Sequence, residues 1–378
     1  MSILPGSTIG ILGGGQLGRM FTIAARTMGY EVIVVDPDSN SPAGQLATRH
    51  ICAHYDDPAA LTTIAQDCDV VTTEFENIPA ATLEHLAAAC PVRPGSHAVT
   101  ITQDRIHEKT FLRDQDIPTA PFAVIQSAQD LEAGIQQIGT PAILKVSRFG
   151  YDGKGQFAIS NEAQAIEGWQ TLNHEPCVLE QRLPLDVEVS VVLARAVDGQ
   201  VITYPAAENI HEHGILDISI VPARINETLR QQLIEIATRI ANELDYIGVM
   251  AVEFFVSNDK VLVNEIAPRP HNSGHYTLDA CVTDQFEQQV RAVCGLPLGD
   301  SRLLSPVVMV NMLGDLWHEG EAPDWLQLLG HDNVKLHLYG KQEARPGRKM
   351  GHYNVVAESI DKALMLASET QTALNRNI

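Results

Sequence analysis

The stretch Ile-Leu-Gly-Gly-Gly-Gln-Leu-Gly-Arg-Met at residues 11–20 decides how the first part of this chain folds. A short apolar run precedes its glycines, and Leu17, Met20 and Phe21 follow at helical spacing. An apolar run, a group of glycines and an amphipathic segment predict a strand, a tight turn and a helix. We therefore expect the chain to begin with a β-strand that leads directly into an α-helix.

The same alternation continues over the first hundred residues. β-branched runs at residues 31–35 and 69–73 end at Asp36 and Glu74, and helix-like segments lie between the runs. Strands that alternate with helices are typical of a parallel sheet covered by helices on both faces. The sequence therefore predicts a doubly wound α/β, Rossmann-like domain over residues 1–100.

The glycines also match a known fingerprint. Gly13, Gly15 and Gly18 fit the pattern G-x-G-x-x-G, and Asp36 closes the next strand about twenty residues later. This pattern is typical of NAD sites, because glycines let the backbone approach a pyrophosphate at a helix N-terminus. A purely structural turn and a site for another anion are the alternatives that the pattern leaves open.

Charge and composition limit the classes of partner. The 378 residues contain 26 Lys and Arg against 47 Asp and Glu, a net charge of −21. Such a field repels nucleic acids and anionic membranes, so we expect neither as a partner. We find no secretory signal, no apolar stretch of the ~20 residues that a membrane helix needs, and no CxxC spacing. A cytoplasmic location with reduced thiols is therefore expected.

The character of the sequence changes after residue 95. A charged helical segment at residues 104–116 is followed by short runs that read as strands, largely antiparallel because tight turns join them. The predicted strands cover residues 142–146, 156–160, 177–181, 187–194, 248–256 and 260–265. We predict a second domain over residues 101–305, with a long helix at residues 227–244, and a small β-rich cap over residues 306–378.

A second glycine-rich segment, Phe-Gly-Tyr-Asp-Gly-Lys-Gly-Gln at residues 149–156, lies between two predicted strands. It is not a Walker A motif, which joins a strand to a helix. Placed shortly after Lys145, it suits a flexible lid whose amides and Lys154 fold over a triphosphate. The alternative is a mobile hairpin turn without a function.

Two predicted neighbouring strands each carry a glutamate within apolar flanks. The alternation of side chains directs Glu253 and Glu265 toward one face of the sheet. Two carboxylates with the amide of Asn264 form a set of hard oxygen ligands, which favours magnesium when a phosphate is near. A structural network with buried Arg or Lys is the alternative.

Polar residues also cluster in two later segments. Residues 267–275 carry donors of several kinds, and His271 and His275 raise the possibility of zinc, although no third Cys or His lies nearby. Lys341, Arg345, Arg348 and Lys349 form the densest positive patch of this acidic chain. The patch suits an anionic substrate, with a basic surface turn as the alternative.

Four of these motifs occur together in one order, at residues 13–20, 150–156, 264–275 and 345–352. In this order they resemble the ATP-grasp superfamily and, within it, the N5-carboxyaminoimidazole ribonucleotide synthetase family, over nearly the whole chain. The resemblance implies a Rossmann-like pre-ATP-grasp domain and a central ATP-grasp domain with two sub-domains, its lid within about residues 140–210. The C-terminal cap completes the expected fold.

The resemblance also implies how ATP and metal bind. Phosphates would contact the lid, adenine the backbone of residues 180–183, and the ribose Glu188. The implied ATP-binding residues are Arg105, Lys145, Gly150, Tyr151, Asp152, Gly153, Lys154, Gly155, Gln156, Glu180, Gln181, Arg182, Leu183, Glu188, His211, Asn264 and Glu265. Glu253 and Glu265 would hold Mg²⁺, with Mn²⁺ as a substitute.

The family reaction converts 5-aminoimidazole ribonucleotide, bicarbonate and ATP to the N5-carboxylated product, ADP and phosphate through carboxyphosphate, in purine biosynthesis. The implied catalytic residues are Asp152, Tyr151, Arg269 and Lys341. The implied substrate-binding residues are Gly15, Gln16, Leu17, Glu76, Asn77, Arg269, His271, Asn272, Ser273, Lys341 and Arg348. The family also implies a homodimer that acts on small molecules.

Three other functions compete with this reading. One is a catalytically silent nucleotide-binding module, which would require the carboxylates to be idle. Another ATP-grasp carboxylase or formyl-group ligase would share the ATP site, although a biotin-dependent enzyme is disfavoured because no carrier domain follows the basic patch. An NAD-dependent oxidoreductase would use only the first domain. It leaves Lys145, the lid at residues 150–156 and the pair Glu253 and Glu265 without a role.

Overall fold

The computed structural model describes residues 2–150, 153–317 and 321–375. The first of its sheets is parallel, with the strand order β3-β2-β1-β4. These strands are β1 (Thr8–Leu12), β2 (Glu31–Val35), β3 (Arg49–Ile51) and β4 (Val70–Thr73). The Rossmann-like prediction is confirmed, since β1 lies centrally and pairs in parallel with both β2 and β4.

Five helices accompany and follow this sheet in the described residues. They are α1 (Gln16–Thr27), α2 (Pro58–Asp67), α3 (Ala80–Ala87), α4 (Ser96–Thr102) and α5 (Arg105–Asp114). Two begin at aspartate caps, because Asp57 and Asp104 accept hydrogen bonds from the first free amides of α2 and α5. The cap at Asp104 makes Arg105 the first residue of helix α5.

A small antiparallel sheet follows, with the order β5-β8-β6-β7. Its strands are β5 (Phe122–Ile125), β6 (Ala142–Val146), β7 (Gln156–Ile159) and β8 (Cys177–Gln181), and helices α6 (Ala128–Ile138) and α7 (Gln164–Thr171) pack on it. The glycine-rich segment joins β6 to β7, which pair directly with each other. The segment is therefore a connection between two strands, as its sequence context predicted.

A larger antiparallel sheet runs through the rest of the described chain, in the order β14-β13-β9-β11-β12-β15-β17-β16, with β10 paired to β9. Its first six strands in chain order are β9 (Val187–Arg195), β10 (Val201–Thr203), β11 (Ala207–Glu212), β12 (Ile215–Val221), β13 (Gly248–Ser257) and β14 (Lys260–Ala267). Helix α8 (Glu227–Glu243) buries its apolar face against β9 and β13. The predicted strands and long helix of this region are confirmed within one or two residues.

The C-terminal strands β15 (Val307–Leu313), β16 (Val334–Leu338) and β17 (Lys349–Val356) belong to that same large sheet. The tail is β-rich, as predicted, but it does not form a small sheet of its own. Strand β15 continues the ladder by pairing with β12 from Ile218 and Val310 to Val221 and Val307. The sequence pattern predicts strands but not which edge they join, because pairing between distant strands leaves no local signal.

The remaining helices are α9 (Thr277–Ala280), α10 (Gln285–Val293), α11 (Trp325–Leu329) and α12 (Ile360–Asn375). Helix α10 joins the first domain to the central one, since Phe286, Val290 and Val293 pack with Phe21 of α1 in one buried cluster. No helix in the described ranges has the length and apolarity needed to span a bilayer.

Candidate active site

A cleft of about 720 Å³ opens where the first domain, the small sheet and the large sheet meet. Most residues that the sequence pointed to lie in its wall. These are Gly15, Gln16, Leu17, Glu76, Asn77, Arg105, Lys145, Gly150, Gly153, Lys154, Gly155, Gln156, Glu188, His211, Glu253, Asn264, Glu265, Arg269, His271, Asn272 and Lys341. Segments far apart in sequence are thus brought to one place.

Some residues that the sequence assigned to the site are not among those described in the cleft wall. Tyr151 and Asp152 lie outside the described residues. Ser273 is fully buried behind the wall. Arg348 is outside the wall, and its guanidinium donates to the carbonyl oxygen of Glu343, whereas its neighbour Lys349 lines the cleft.

Lys145 on β6 and Glu180 on β8 form a buried ion pair at one end of the cleft. The Lys145 Nζ lies 3.0 Å from Glu180 Oε2 and 3.5 Å from Asn264 Oδ1, and the fully buried Lys109 lies 3.5 Å from the other oxygen of Glu180. Burial raises the pKa of Glu180, but the two lysines outweigh it and lower that pKa to about 2. The side chain of Glu180 therefore holds Lys145 in place and is not in the cleft wall.

The backbone that follows β8 has an unusual ladder. The amides of Gln181 and Arg182 donate to the carbonyl oxygens of Pro121 and Pro141, at 2.9 and 3.0 Å. An antiparallel pair normally returns a second hydrogen bond, but proline has no N–H to donate. The carbonyl oxygens of Gln181 and Arg182 therefore receive no ladder bond from these two prolines.

Glu188 and His211 lie together in the wall formed by β9 and β11. The His211 Nδ1 is 3.1 Å from Glu188 Oε2. Burial lowers the pKa of His211, but the carboxylates of Glu188, Glu253 and Glu265 together raise it above its ordinary value. The neighbouring carboxylates therefore favour the protonated form of His211.

The two glutamates of the large sheet are confirmed on one face. Glu253 on β13 and Glu265 on β14 are direct cross-strand partners, and both line the cleft. Arg105 Nη1 lies 2.9 Å from Glu265 Oε2, and His271 Nε2 lies 2.9 Å from Glu253 Oε1. The carboxylates and Asn264 supply hard oxygen donors, the set that magnesium prefers. The described residues contain no group of three or more His, Cys, Asp or Glu side chains arranged as a metal site.

The loop after β14 is held firmly behind the cleft. Gln285 of α10 accepts the His271 backbone N–H and donates to the His271 carbonyl oxygen, both at 2.9 Å. Arg269 Nε lies 2.7 Å from Glu76 Oε2, and although burial raises the pKa of Glu76, Arg269 lowers it by more. Asn272 is 95% buried, and both polar atoms of its side chain lack a hydrogen-bond partner among the described residues. An unsatisfied amide in a cleft wall indicates a place for a polar ligand.

The glycine turn of the first domain is occupied by the chain's own carboxylates. Glu74 accepts hydrogen bonds from the amides of Gly15 and Leu17 at the start of α1, and Asp36 accepts from Gly14 at 2.7 Å. A Cβ on Gly15 would lie 2.5 Å from the Glu74 carboxylate, so only glycine fits there. The carboxylate fills the position in which a dinucleotide pyrophosphate would lie, which argues against the NAD alternative.

At the opposite wall, Lys341 joins the C-terminal strands to the first domain. Its Nζ donates to Gln16 Oε1 and to the Lys349 carbonyl oxygen, both at 2.6 Å. Both lysines line the cleft. The predicted positive patch therefore reaches the cleft through Lys341 and Lys349.

Sequence reasoning missed several residues of the wall. Glu108 of α5 is buried, and burial raises the pKa of its carboxyl to about 7. The wall also contains apolar residues, namely Ile143, Leu185, Leu216, Phe255 and Ile266. Ile143 and Phe255 did carry a signal, since each lies two positions from a predicted site residue on the same strand, Lys145 and Glu253 respectively.

Comparison with known proteins agrees with this geometry. The chain matches the model of the ribonucleotide synthetase preATP-grasp domain over residues 6–103 and that of the ATP-grasp domain over residues 110–286. It also matches the phosphoribosylaminoimidazole carboxylase C-terminal domain over residues 307–365. The three matches follow one another along the chain in the order of the three regions described above.

Relatives and solved structures extend over nearly the whole chain. An N5-carboxyaminoimidazole ribonucleotide synthase of Bacillus subtilis is 46% identical and covers 95% of this chain and 94% of its own length. The structure of an ADP complex of an N5-carboxyaminoimidazole ribonucleotide synthetase has a TM-score of 0.92 at 45% identity, covering 98% of this chain and 97% of the other.

An Aspergillus clavatus N5-carboxyaminoimidazole synthase in complex with ADP and 5-aminoimidazole ribonucleotide has a TM-score of 0.90 at 32% identity, covering 98% and 99% of the two chains. Identity of this extent, with the same fold from end to end, shows the family. The chain belongs to the N5-carboxyaminoimidazole ribonucleotide synthases, ATP-dependent ATP-grasp ligases of purine biosynthesis that carboxylate 5-aminoimidazole ribonucleotide with bicarbonate.

Proposed function

We propose that the cleft holds ATP at the end of Lys145 and the ribonucleotide at the end of Lys341, with bicarbonate between them. The observation that carries this arrangement is the placement of Glu253 and Glu265 opposite the loop that contains Arg269 and His271, within one cleft. Phosphoryl transfer needs charge stabilisation, and carboxylate transfer needs a pocket for a small anion. Residues suited to each of these requirements lie within this cleft.

For ATP, Lys145, Arg105 and the glycine-rich lid bind the phosphates, and apolar residues of the wall pack against the adenine. The carbonyl oxygens of Gln181 and Arg182, which receive no ladder bond from Pro121 or Pro141, are suited to accept from the adenine amino group. Glu188 accepts hydrogen bonds from the ribose hydroxyls. His211, beside Glu188, completes the nucleotide site.

Glu253 and Glu265, with Asn264 beside them, fit Mg²⁺ or Mn²⁺ because they offer only hard oxygen donors. The ion, when bound, neutralises charge that develops on the γ-phosphoryl group. Arg105 and His271, each within 2.9 Å of one carboxylate, orient the two ligands. The chain's own contribution is thus the position of these four side chains and the charge of the two carboxylates and Arg105.

The chemistry then follows from the properties of bicarbonate. A bicarbonate oxygen attacks the γ-phosphorus and the bond to ADP breaks, which gives carboxyphosphate. The substrate amine either attacks the carboxyl carbon of carboxyphosphate and displaces phosphate, or it attacks CO2 after carboxyphosphate has broken down to CO2 and phosphate. In both routes the amine gives its proton to a base. Carboxyphosphate hydrolyses readily, so the lid at residues 150–156 must exclude water.

Side chains are assigned to these steps by position. Arg269, His271 and Asn272 surround bicarbonate, whereas Ser273, which was predicted to contact it, lies buried behind them. The two polar atoms of Asn272 that have no partner among the described residues support this assignment. The turn at residues 15–17 with Glu76 and Asn77 binds the ribonucleotide, and Lys341 binds its phosphate. Arg348 reaches that phosphate only after its side chain moves, so Lys349 is the better placed second cation.

The proton acceptor is proposed from sequence alone. Asp152 and Tyr151 lie on the lid segment but outside the described residues. A carboxylate on a lid reaches the substrate only when ATP has closed the cleft, which couples proton transfer to phosphoryl transfer. Arg269 and Lys341 complete the proposed catalytic set as electrostatic partners of the reacting anions.

We further propose a cytoplasmic homodimer with domain boundaries near residues 100 and 305. The family models, which match residues 6–103, 110–286 and 307–365, support these boundaries. Two-fold dimers are the commonest soluble assemblies. Sedimentation of the purified chain tests the assembly, and a monomer at micromolar concentration would contradict it.

The decisive experiment is phosphate release from ATP and magnesium with bicarbonate, with and without 5-aminoimidazole ribonucleotide. We expect release that requires bicarbonate and increases when the ribonucleotide is added. A thermal-shift comparison of ATP–magnesium with NADH is the control, because a ligand that binds the native state raises its melting temperature. Stabilisation by NADH alone, without phosphate release, would overturn the proposal.

A further inference from the structure

Strand β14 contains a β-bulge beside the proposed cation site. Glu265 pairs with Glu253 of β13, and the next pair of the ladder is Val263 with Phe254. One residue of β14, Asn264, is therefore extra to the ladder. Cross-strand partners lie on one face of a sheet, so Val263 and Glu265 lie on opposite faces although they are two positions apart.

The bulge brings the side chains of Asn264 and Glu265 to the same side. Val263 is fully buried in the core with Phe254, whereas Asn264 and Glu265 both line the cleft. Strict alternation along β14 would turn these two consecutive side chains to opposite faces. The extra residue removes this restriction, so an amide and a carboxylate from adjacent positions face one ligand. The oxygen donors of the cation site therefore depend on the bulge.

The backbone of the bulge is held from outside the sheet by helix α5. Lys109 Nζ donates to the Asn264 carbonyl oxygen at 2.8 Å. Glu108 Oε2 accepts the N–H of Ile266 at 2.9 Å. The carbonyl group before Glu265 and the N–H group after it are thus bonded to two consecutive residues of one helix. These two hydrogen bonds fix the backbone on either side of Glu265.

A further contact comes from the segment that follows α5. Thr119 Oγ1 lies 2.7 Å from the Val263 carbonyl oxygen and 2.8 Å from Lys109 Nζ. A carbonyl oxygen can only accept, so the single hydroxyl proton points to Val263, and Lys109 is the donor in the other contact. Lys109 and Thr119 therefore bond to each other and to the carbonyl oxygens of two consecutive residues, Val263 and Asn264.

These contacts account for a lysine in the protein interior. The side chain of Lys109 is completely buried, a position that is unfavourable for an amine unless it is well bonded. Glu180 has a closer partner in Lys145, at 3.0 Å against 3.5 Å for Lys109. Neutralising Glu180 is therefore not enough to explain Lys109, whereas its two bonds of 2.8 Å to Thr119 and to the Asn264 carbonyl oxygen are.

We propose that Lys109 and Thr119 are positioning residues for the cation site, because they hold the bulge that turns Asn264 and Glu265 together into the cleft. Neither residue is among the described residues that line the cleft, so both act through the backbone of β14. The inference rests on the metal site proposed above. It adds to that site the contacts that fix two of its ligands.

The test compares the binding of ADP to the purified full chain with and without Mn²⁺, by calorimetry. In the wild type we expect Mn²⁺ to tighten ADP binding, because the ion joins the nucleotide to the carboxylates. Lys109→Met keeps the length of the buried side chain and removes its donors. The dissociation constant of Mn²⁺–ADP should rise roughly tenfold, the scale of a lost group that orients metal ligands, while that of metal-free ADP changes by less than about twofold.

Thr119 supplies a second pair of variants, which leave the surroundings of Glu180 unchanged. Thr119→Val removes the hydroxyl and keeps the shape of the side chain, so the dissociation constant of Mn²⁺–ADP should rise roughly threefold to tenfold. Thr119→Ser keeps the hydroxyl and should retain the wild-type constant. Lys260→Met is the control, because Lys260 is an exposed lysine on the same strand, and it should change neither constant.

The outcomes separate this inference from the proposed function. If Mn²⁺ does not tighten ADP binding in the wild type, the metal site itself is wrong and the inference is overturned with it. If Mn²⁺ tightens binding equally in the wild type, Lys109→Met and Thr119→Val, the metal site stands and the inference alone is overturned. Equal weakening of ADP with and without Mn²⁺ in Lys109→Met also contradicts the inference, because the effect then passes through Lys145. If Lys109→Met does not fold, the two Thr119 variants decide.

Discussion

Glu253 and Glu265 face each other directly across the ladder between β13 and β14. Like charges in this relation repel, and each carboxylate has one nearby cationic or donor group, His271 and Arg105 respectively. The pair is therefore poised for a cation that reduces the repulsion. Removal of either carboxylate should therefore affect catalysis far more than folding.

We expect Glu265→Gln to lower kcat by at least about 100-fold, the scale of a lost electrostatic contact to developing charge, with little change in unfolding free energy. The substitution removes charge from a metal ligand and keeps its size. Glu235→Gln on the exposed face of α8 is the matched control and should retain full activity. Near wild-type turnover in Glu265→Gln would refute the two-carboxylate metal site.

Two cations of the C-terminal patch can be separated by their positions. Lys341 lines the cleft and holds Gln16, whereas Arg348 bonds to a carbonyl outside the wall. Lys341→Ala should raise the ribonucleotide KM roughly tenfold or more, and Arg348→Ala by less than about threefold, with ATP binding kept in both. Steady-state kinetics with the ribonucleotide as the varied substrate measures this, and the opposite order would assign the phosphate to Arg348.

Asn272 offers a test in which stability and activity move in opposite directions. Its amide is buried and neither polar atom has a partner in the part of the chain that the structure describes, so Asn272→Leu removes an unfavourable buried group of similar size. The unfolding free energy should be unchanged or higher by about 1 kcal/mol, while the bicarbonate KM rises at least about tenfold. Denaturation and bicarbonate kinetics of the same preparation decide this. A destabilised variant with normal bicarbonate KM would show that the amide has a structural role instead.

The buried group of Glu180, Lys145 and Lys109 predicts a pH dependence of stability. The pKa of Glu180 is lowered from about 4.5 to about 2, so the native state binds its proton less readily than the unfolded state. The stabilising contribution is therefore complete above pH 4.5 and is lost as the pH falls toward 2.

Glu180→Gln removes this titration and leaves two lysines without their shared anion. At pH 7 it should lower the unfolding free energy by about 3–5 kcal/mol, the usual cost of breaking a buried ion pair. The difference from wild type should shrink between pH 4.5 and 2 in denaturant titrations. The exposed Glu175→Gln is the control. A difference that is constant with pH would mean that Glu180 is not ionised in the native state.

The sequence predicted local structure well and distant relations poorly. Strands at residues 31–35 and 177–181 have the predicted bounds, because apolar runs and turns are local signals. The shared face of Glu253 and Glu265 also followed from alternation along two adjacent strands. The occupation of the glycine turn by Glu74, in contrast, depends on a contact between residues 59 positions apart.

The same limit applies to the rest of the site. Nothing in the sequence relates Lys109 to Asn264, which are 155 positions apart, or distinguishes Lys349 from Arg348 as the residue that faces the cleft. Such relations depend on strand register and on the direction of a side chain at the start of β17. Motifs conveyed by the family resemblance identified the residue types of the site but not these contacts.

The continuity of the large sheet has a consequence for shortened forms of this chain. Strand β12 is completed by β15, so a chain that ended at residue 305 would present β12 as an open edge with unpaired backbone donors and acceptors. Open, apolar edges of this kind associate with other chains and promote aggregation. The C-terminal region matches a family model of its own, but its strand β15 covers the edge of β12. Its removal should therefore yield insoluble protein rather than a smaller active unit.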